Sequence, residues 1–216
     1  PIAISVLGKQ QIQEAKAVRI DFLLNKVSGV FMPTIGNEQH MMSIRQPVSL
    51  KGLYLYLEDG LPIRTSGLFS NNALIEINTA AIQQIEVIKG PASALYGAEA
   101  IGGVVNFLSQ PVPIKNILDL TAQINNTGYN KIDIAVGIPT KKGGWSMNGS
   151  FINQKNGVTE HSDFNKNAFL QEAYSKNVQK IELSASESLL DNNALFPRYY
   201  DFMNKTQLVL LESVII

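Results

Sequence analysis

The chain has 216 residues, of which 45% are hydrophobic and 17% charged, enough for one substantial core or two modest domains and unlike a disordered chain. Eighteen basic residues balance eighteen acidic ones, so no long-range field gathers nucleic acid along it, and a nucleic-acid binder is disfavoured. Cysteine is absent, which removes thiol nucleophiles, disulfide frameworks and cysteine-ligated zinc together and fits any compartment, an oxidising one included.

Residues 1 to 8, PIAISVLG, lack the basic start and apolar stretch of a secretory signal. No run along the chain approaches the roughly 18 apolar residues a membrane helix needs, so any membrane crossing must use β-strands in a barrel. The start at Pro1 and the apolar end SVII lead us to expect a piece of a longer protein.

Between Val18 and Val27, Ile20, Leu23, Leu24 and Val27 recur at helical spacing on one face, and Gly29 supplies a stop. From Ser43 to Phe107 the pattern changes to short β-rich runs, SIR, LYLYLE, QQIEVIK and GGVVNFL. Asp59-Gly60 directly follows LYLYLE and predicts a hairpin, because both residues tolerate positive φ. Residues 65 to 73, TSGLFSNNA, read as a polar loop with an aromatic tip.

Past Pro111 and Pro113 the texture changes again, which marks the expected domain boundary. Leu118, Leu120, Ala122 and Ile124 alternate with Asp119, Thr121, Gln123 and Asn125. Ile132, Ile134, Val136 and Ile138 alternate with Lys131, Asp133, Ala135 and Gly137. Trp145, Met147 and Phe151 oppose Ser146, Asn148 and Ser150, and Ile181, Leu183 and Ala185 oppose Glu182, Ser184 and Ser186. Four period-two segments joined by polar turns predict an antiparallel meander with one apolar and one hydrophilic face. The stretch NAFLQEAYS fits a strand or a helix, and the period of QLVLLESVII is open. Alternation alone favours a soluble sandwich or half-buried sheet over a barrel wall, and it is the pairing with the first 111 residues that turns the reading toward the barrel.

The run IEVIKGPASALYGAEAIGGVVNFLS, residues 85 to 109, reads as a strand, a Gly90-Pro91 turn, a short helical turn through Ala94 and a glycine-punctuated return strand. Gly97, Gly102 and Gly103 allow tight bends and close backbone approach there. A phosphate cradle is the enzyme alternative for a glycine turn between strand and helix. It lacks Gly-Lys-[Ser/Thr] and the G-x-G-x-x-G spacing. His40 and His161 have no i, i+4 partner or carboxylate cluster, and both are expected at the surface, with no metal site. Met41 and Met42, which follow His40, are expected to fill core.

Residues 85 to 109 resemble the hallmark of TonB-dependent receptor plug domains, a strand ending in E-V-I-[RK]-G-P, then S-x-L-Y-G, then A-I-G-G-V-[VI]-N. The upstream order is similar: a helix ending in a V-x-G-V phrase (Val27 to Val30), an S-I-R strand, and a strand ending in E-D-G-L-P (residues 58 to 62, with its turn glycine at Gly60). The likeness spans residues 1 to 111, whereas residues 114 to 216 resemble early barrel strands only in texture. Gln46-Pro47 stands where the family has Arg-Gly after the serine-isoleucine strand. Lys89 replaces the usual arginine and lacks its planar fork. No energy-coupling box is recognisable.

The resemblance implies an α+β plug at residues 1 to 111, followed at 112 to 216 by antiparallel transmembrane strands of an incomplete β-barrel. Barrels of this kind have about twenty-two strands, and ~10 residues per crossing allows about four to six here. The implied setting is the Gram-negative outer membrane, with outer-membrane lipid and a TonB-type periplasmic energy-coupling protein as partners, and no catalysis or cofactor. The implied cargo is a ferric siderophore or another iron chelate, with haem, cobalamin and oligosaccharides carried by relatives. Arg45 and Lys89, with Glu86 nearby, match basic positions that lock plug to barrel through barrel carboxylates. The ligand loop corresponds to residues 64 to 72, where Arg64, Ser66, Phe69, Asn71 and Asn72 offer a cation, an aromatic face and amide donors. The competing reading is a soluble β-rich binding or adhesion module, in which the hydrophilic strand faces would meet water. Tyr129 and Trp145, near strand ends, are expected to mark a membrane interface.

Overall fold

The computed structural model describes residues 3–36, 39–48, 52–63, 74, 77–111, 113–155, 163–175, 180–190 and 213–215. They form two compact units, one of residues 1–75 and 82–110, the other of residues 76–81 and 111–216. The ligand-loop residues Arg64, Ser66, Phe69, Asn71 and Asn72, and His161, lie outside the described residues.

In the first unit, β1 (Ala3–Leu7) leads into α1 (Lys9–Ala15), whose start is capped by the Gln11 side chain accepting from the Gly8 amide at 3.0 Å. Then α2 (Ile20–Leu24) buries Ile20, Leu23 and Leu24, as its spacing predicts. The helix stops early because the Asn25 side chain holds the Met32 backbone at both ends, accepting from its N–H at 2.7 Å and donating to its carbonyl at 3.0 Å. Val27, carried on by tighter turns, still reaches the core.

Short pairs follow: β2 (Val30–Phe31) with β5 (Ser43–Ile44), and β3 (Thr34–Gly36) with β4 (Gln39–His40). His40 is buried rather than at the surface, because its strand position opposite Thr34 turns it inward, while Met42 fills core as expected.

The main sheet has the order β1-β8-β9-β6-β7, built from β6 (Tyr54–Glu58), β7 (Leu61–Pro62), β8 (Ile82–Lys89) and β9 (Gly103–Ser109). β6 and β9 run parallel and every other pairing is antiparallel. All five residues of β6 are buried, which explains why LYLYLE reads as a near-continuous apolar run. Leu55, Leu57 and Val104 pack with Ala92 and Ala100 from the loop around α3 (Ser93–Tyr96), the short helical turn expected through Ala94. Asp59 and Gly60 have φ of 48° and 83° and close the β6–β7 hairpin in the expected primed geometry.

In the second unit, β10 (Ile117–Ile124), β11 (Tyr129–Thr140), β12 (Gly143–Gln154), β13 (Phe164–Ser175), β14 (Lys180–Leu190) and β15 (Ser213–Ile215) pair consecutively, all antiparallel, in one open sheet. The ambiguous NAFLQEAYS stretch is strand. In the first turn Asn125 Oδ1 accepts from the Thr127 and Tyr129 amides and the Thr127 hydroxyl, so a single side chain organises the hairpin.

Gly103 has φ of 154°, and a Cβ there would sit 2.5 Å from the Ile88 carbonyl oxygen and 3.0 Å from Ile44 Cδ1. Gly103→Ala therefore combines backbone strain with a collision against main chain, and the first unit should lose roughly 2–4 kcal/mol. Urea titration of the detergent-solubilised chain, read by protease protection of residues 1–111, checks this; an unchanged midpoint would show that β8 yields freely.

Candidate functional site

The signature segments converge in the first unit. The Arg45 amide donates to the Gly29 carbonyl at 2.9 Å, bringing the S-I-R strand onto the V-S-G-V turn, and a Cβ on Gly29 would lie 3.3 Å from Arg45 Cγ. The Ile44 amide donates to the Tyr54 hydroxyl at 3.0 Å, and the Gly102 amide to the Leu53 carbonyl at 2.7 Å. Gly102 lies flat against the Tyr54 ring, where a Cβ would come within 2.6 Å of Cε1. Any larger residue at 102 would push that ring off Ile44. Arg45 itself has φ of 55°, and the Ser43 hydroxyl closes the following turn by donating to the Gln46 carbonyl. That is how this chain accommodates Gln46-Pro47 in place of Arg-Gly.

The charges at this junction are arranged asymmetrically. Lys89, only 7% exposed, donates its ammonium to the Ser28 carbonyl. Burial, and secondarily the nearby Arg45 cation, push the Lys89 pKa below the usual lysine range. Among the described residues no carboxylate forms an ion pair with Lys89 or Arg45. Glu86, three residues earlier on β8, lies on the opposite strand face from Lys89 and is held by Gln84 Nε2 at 3.0 Å and Asn106 Nδ2 at 3.5 Å. Arg45 and Lys89 are thus brought together, while Glu86 belongs to a separate polar cluster.

That cluster extends to the E-D-G-L-P turn. The Asp59 carboxylate accepts from the Ser109 amide at 2.8 Å and hydroxyl at 2.6 Å, and Asn106 Oδ1 accepts from the Gly60 amide at 3.0 Å. Asp59 is more than a turn former, since it clasps the end of β9. Gly90 and Gly97 turn the chain with φ of 137° and 90° on either side of α3.

The second unit reverses the usual sidedness of a water-soluble sheet. Leu118, Leu120 and Ile124 are 81%, 68% and 77% exposed, and Ile132, Ile138, Met147, Phe151 and Phe169 are exposed too. Across the same strands Asn148 and Lys166 are 2% exposed and Glu172 is fully buried. The apolar side chains align across the ladder, Ile132 opposite Phe151 and Val136 opposite Met147. The Phe151 and Phe169 rings meet edge to face at 5.2 Å over Gly149. On the polar face the Ser146 hydroxyl donates to Glu172 at 3.0 Å, Ser150 donates to Asp133 at 2.7 Å, and Lys131 pairs with Asp133 at 2.8 Å. Trp145 keeps to the apolar face, opposite Ile138. Tyr129 does not, because its register puts it beside Lys131 and Asp133 on the inner face, where it is buried.

Sequence reading missed Asn78 and Thr79, which dock on this polar face. Asn78 Nδ2 donates to the Asn148 carbonyl at 2.9 Å and to that of Ala168 at 3.4 Å, and Thr79 Oγ1 lies 3.3 Å from Ser150 Oγ. A polar pair within I-N-T-A-A carries no periodic signal that could have singled it out.

Comparison with known proteins agrees with this geometry. Residues 1–104 match the family model described as TonB-dependent Receptor Plug Domain. The Vitamin B12 transporter BtuB of Vibrio vulnificus is 34% identical over 107 residues, 49% of this chain and 17% of that protein. The pyoverdine outer membrane receptor FpvA of Pseudomonas aeruginosa superposes with a TM-score of 0.70 at 16% identity, over 87% of this chain and 27% of its own. The ferric yersiniabactin uptake receptor FyuA of Yersinia pestis does so with a TM-score of 0.66 at 16% identity, over 87% and 31%. Fold and interlocked junction together define a plug followed by strands of an unclosed β-barrel. Residues 1–104 are thus a TonB-dependent receptor plug domain, and the chain spans about a sixth of the length of the curated relative it matches.

A lysine pKa lowered by folding makes the charged form unfavourable in the folded state, so stability rises with pH as the lowered folded value and then the ordinary unfolded value are passed. In alkaline urea titrations of this chain the first unit should gain stability toward pH 10, and Lys89→Met should flatten that gain. A slope of opposite sign would mean that Lys89 has found a carboxylate.

Proposed function

We propose that the complete protein is an outer-membrane receptor that captures a scarce metal chelate, a ferric siderophore or related iron chelate, and imports it with energy delivered by a TonB-type periplasmic protein. The carrying observation is the reversed strand sheet, apolar side chains exposed and charged ones buried, joined in one chain to a plug domain. A soluble adhesion module would waste hydrophobic area on water and bury its charges, whereas a lipid-facing wall around a polar interior requires this sidedness.

In this reading residues 1 to 111 form the plug and residues 112 to 216 the first part of the barrel. Arg45 and Lys89 lock the plug through carboxylates on later strands. Support comes from the buried Lys89 ammonium, which among the described residues meets a neutral carbonyl and a neighbouring cation, an arrangement an added carboxylate would relieve. Arg64, Ser66, Phe69, Asn71 and Asn72 form the plug's ligand loop. Cobalamin is the second reading, favoured by the identity with a vitamin B12 transporter across the plug.

Uptake of radiolabelled ferric chelates and of cyanocobalamin by cells carrying the complete gene tests these statements. Iron uptake that depends on TonB and falls at least about tenfold on deletion of residues 64 to 72 is expected. Unchanged uptake after the deletion removes the loop from binding, and cobalamin uptake without iron uptake transfers the cargo to the second reading.

A further inference from the structure

The chain leaves its first unit at residue 75, spends residues 76–81 in the second, and returns at Ile82 to begin β8. Those few residues are unusually well fixed for a connection. Ile77 and Ala81 are fully buried and Asn78 nearly so. The Asn78 side chain is used at both ends: its amide donates to main-chain carbonyls on the neighbouring strands β12 and β13, and its Oδ1 accepts from the Ala80 amide at 3.0 Å. The Ala81 amide donates to the Asn78 carbonyl at 3.1 Å, so the turn is closed on itself.

Thr79 adds a directional link. Ser150 has a single hydroxyl proton and gives it to Asp133 at 2.7 Å, so in the 3.3 Å contact Thr79 must be the donor. The sequence Thr79 to Ser150 to Asp133 therefore runs toward one carboxylate, which Lys131 also neutralises at 2.8 Å. Bonds aimed at a charged acceptor in a partly buried setting are stronger than neutral surface ones. Asn78 reads main chain rather than side chains, so its hold depends on the ladder register of β12 and β13.

We propose that residues 77–81 are a fixed anchor of the amino-terminal region on the strand sheet, held by Asn78 and Thr79, which stays in place when the first unit is remodelled. The segment opens with β11–β13 as one cooperative unit and not with β8, although it is joined to β8 by a single peptide bond. Remodelling during import would then begin at the Ala81–Ile82 joint, where the segment meets β8. The purpose of remodelling rests on the receptor reading above, but the anchor itself does not.

Native-state hydrogen exchange on the full-length receptor in detergent micelles, across a urea series, tests this without any ligand. The Ala80 and Ala81 amides should keep their protection to the urea concentration at which β12 and β13 lose theirs, beyond the point where β8 and β9 open. Asn78→Ala should raise exchange at Ala80 and Ala81 roughly tenfold or more and move them into the β8 group, with β12 unchanged. Wild-type residues 77–81 exchanging with β8, loss of all protection at a single concentration, or Asn78→Ala leaving the segment with β12 would each overturn the proposal. None of these outcomes bears on uptake, so the receptor reading would survive them.

Discussion

A β-strand offers two faces, and whatever solvent meets each face decides what can be placed there. In the second unit the outward face carries Leu118, Leu120, Ile124, Ile132, Met147 and Phe151, while the inward face carries Lys131, Asp133, Ser146, Asn148, Ser150, Lys166 and Glu172. Burying such a row unpaired would be prohibitive, and the cross-strand bonds from Ser146 to Glu172 and from Ser150 to Asp133 are what make it tolerable. A one-residue slip of a strand would turn its inner-face charges outward and its lipid-side residues such as Ile132, Met147 or Phe151 inward, so register is under strong constraint.

The first unit is organised by close approach rather than by charge. Gly102 admits the Tyr54 ring, Tyr54 accepts from Ile44, and the neighbouring Arg45 takes the Gly29 carbonyl. Gly103 lets β8 and β9 pair where a side chain would strike main chain. Segments distant in sequence thus depend on two adjacent glycines, which gives a physical reason for the order of motifs along the chain. The cost is concentrated in Lys89, a buried ammonium whose hydrogen-bond partner here is the neutral Ser28 carbonyl.

Much of this was legible in the residues. The face of α2, the Asp59-Gly60 hairpin, the runs that became β5, β6, β8 and β9, and the alternation along β10 to β12 follow from spacing and turn chemistry alone. What was not legible had little periodic signal. β1 is short, and α1 buries no residue and so has no apolar stripe to detect. His40 is buried by a short irregular hairpin that spacing could not foresee. Tyr129 looked like an interfacial aromatic by position, but the ladder register turns it inward. Asn78 and Thr79 reach partners some seventy residues away, a pairing set by tertiary structure.

Two devices therefore divide the work: a reversed sheet suited to separating lipid from a polar interior, and a glycine-gated junction that gives the plug one packing. The receptor reading stands or falls with the sheet. Spin labels placed singly along β12 of the full-length receptor in lipid bilayers measure its sidedness directly, through collision with oxygen, which concentrates in lipid, and with a water-soluble nickel chelate. Labels at Trp145, Met147 and Phe151 should be open to oxygen and closed to nickel, and those at Ser146, Asn148 and Ser150 should not be open to oxygen. Free access of the nickel chelate to the first three positions would contradict the account.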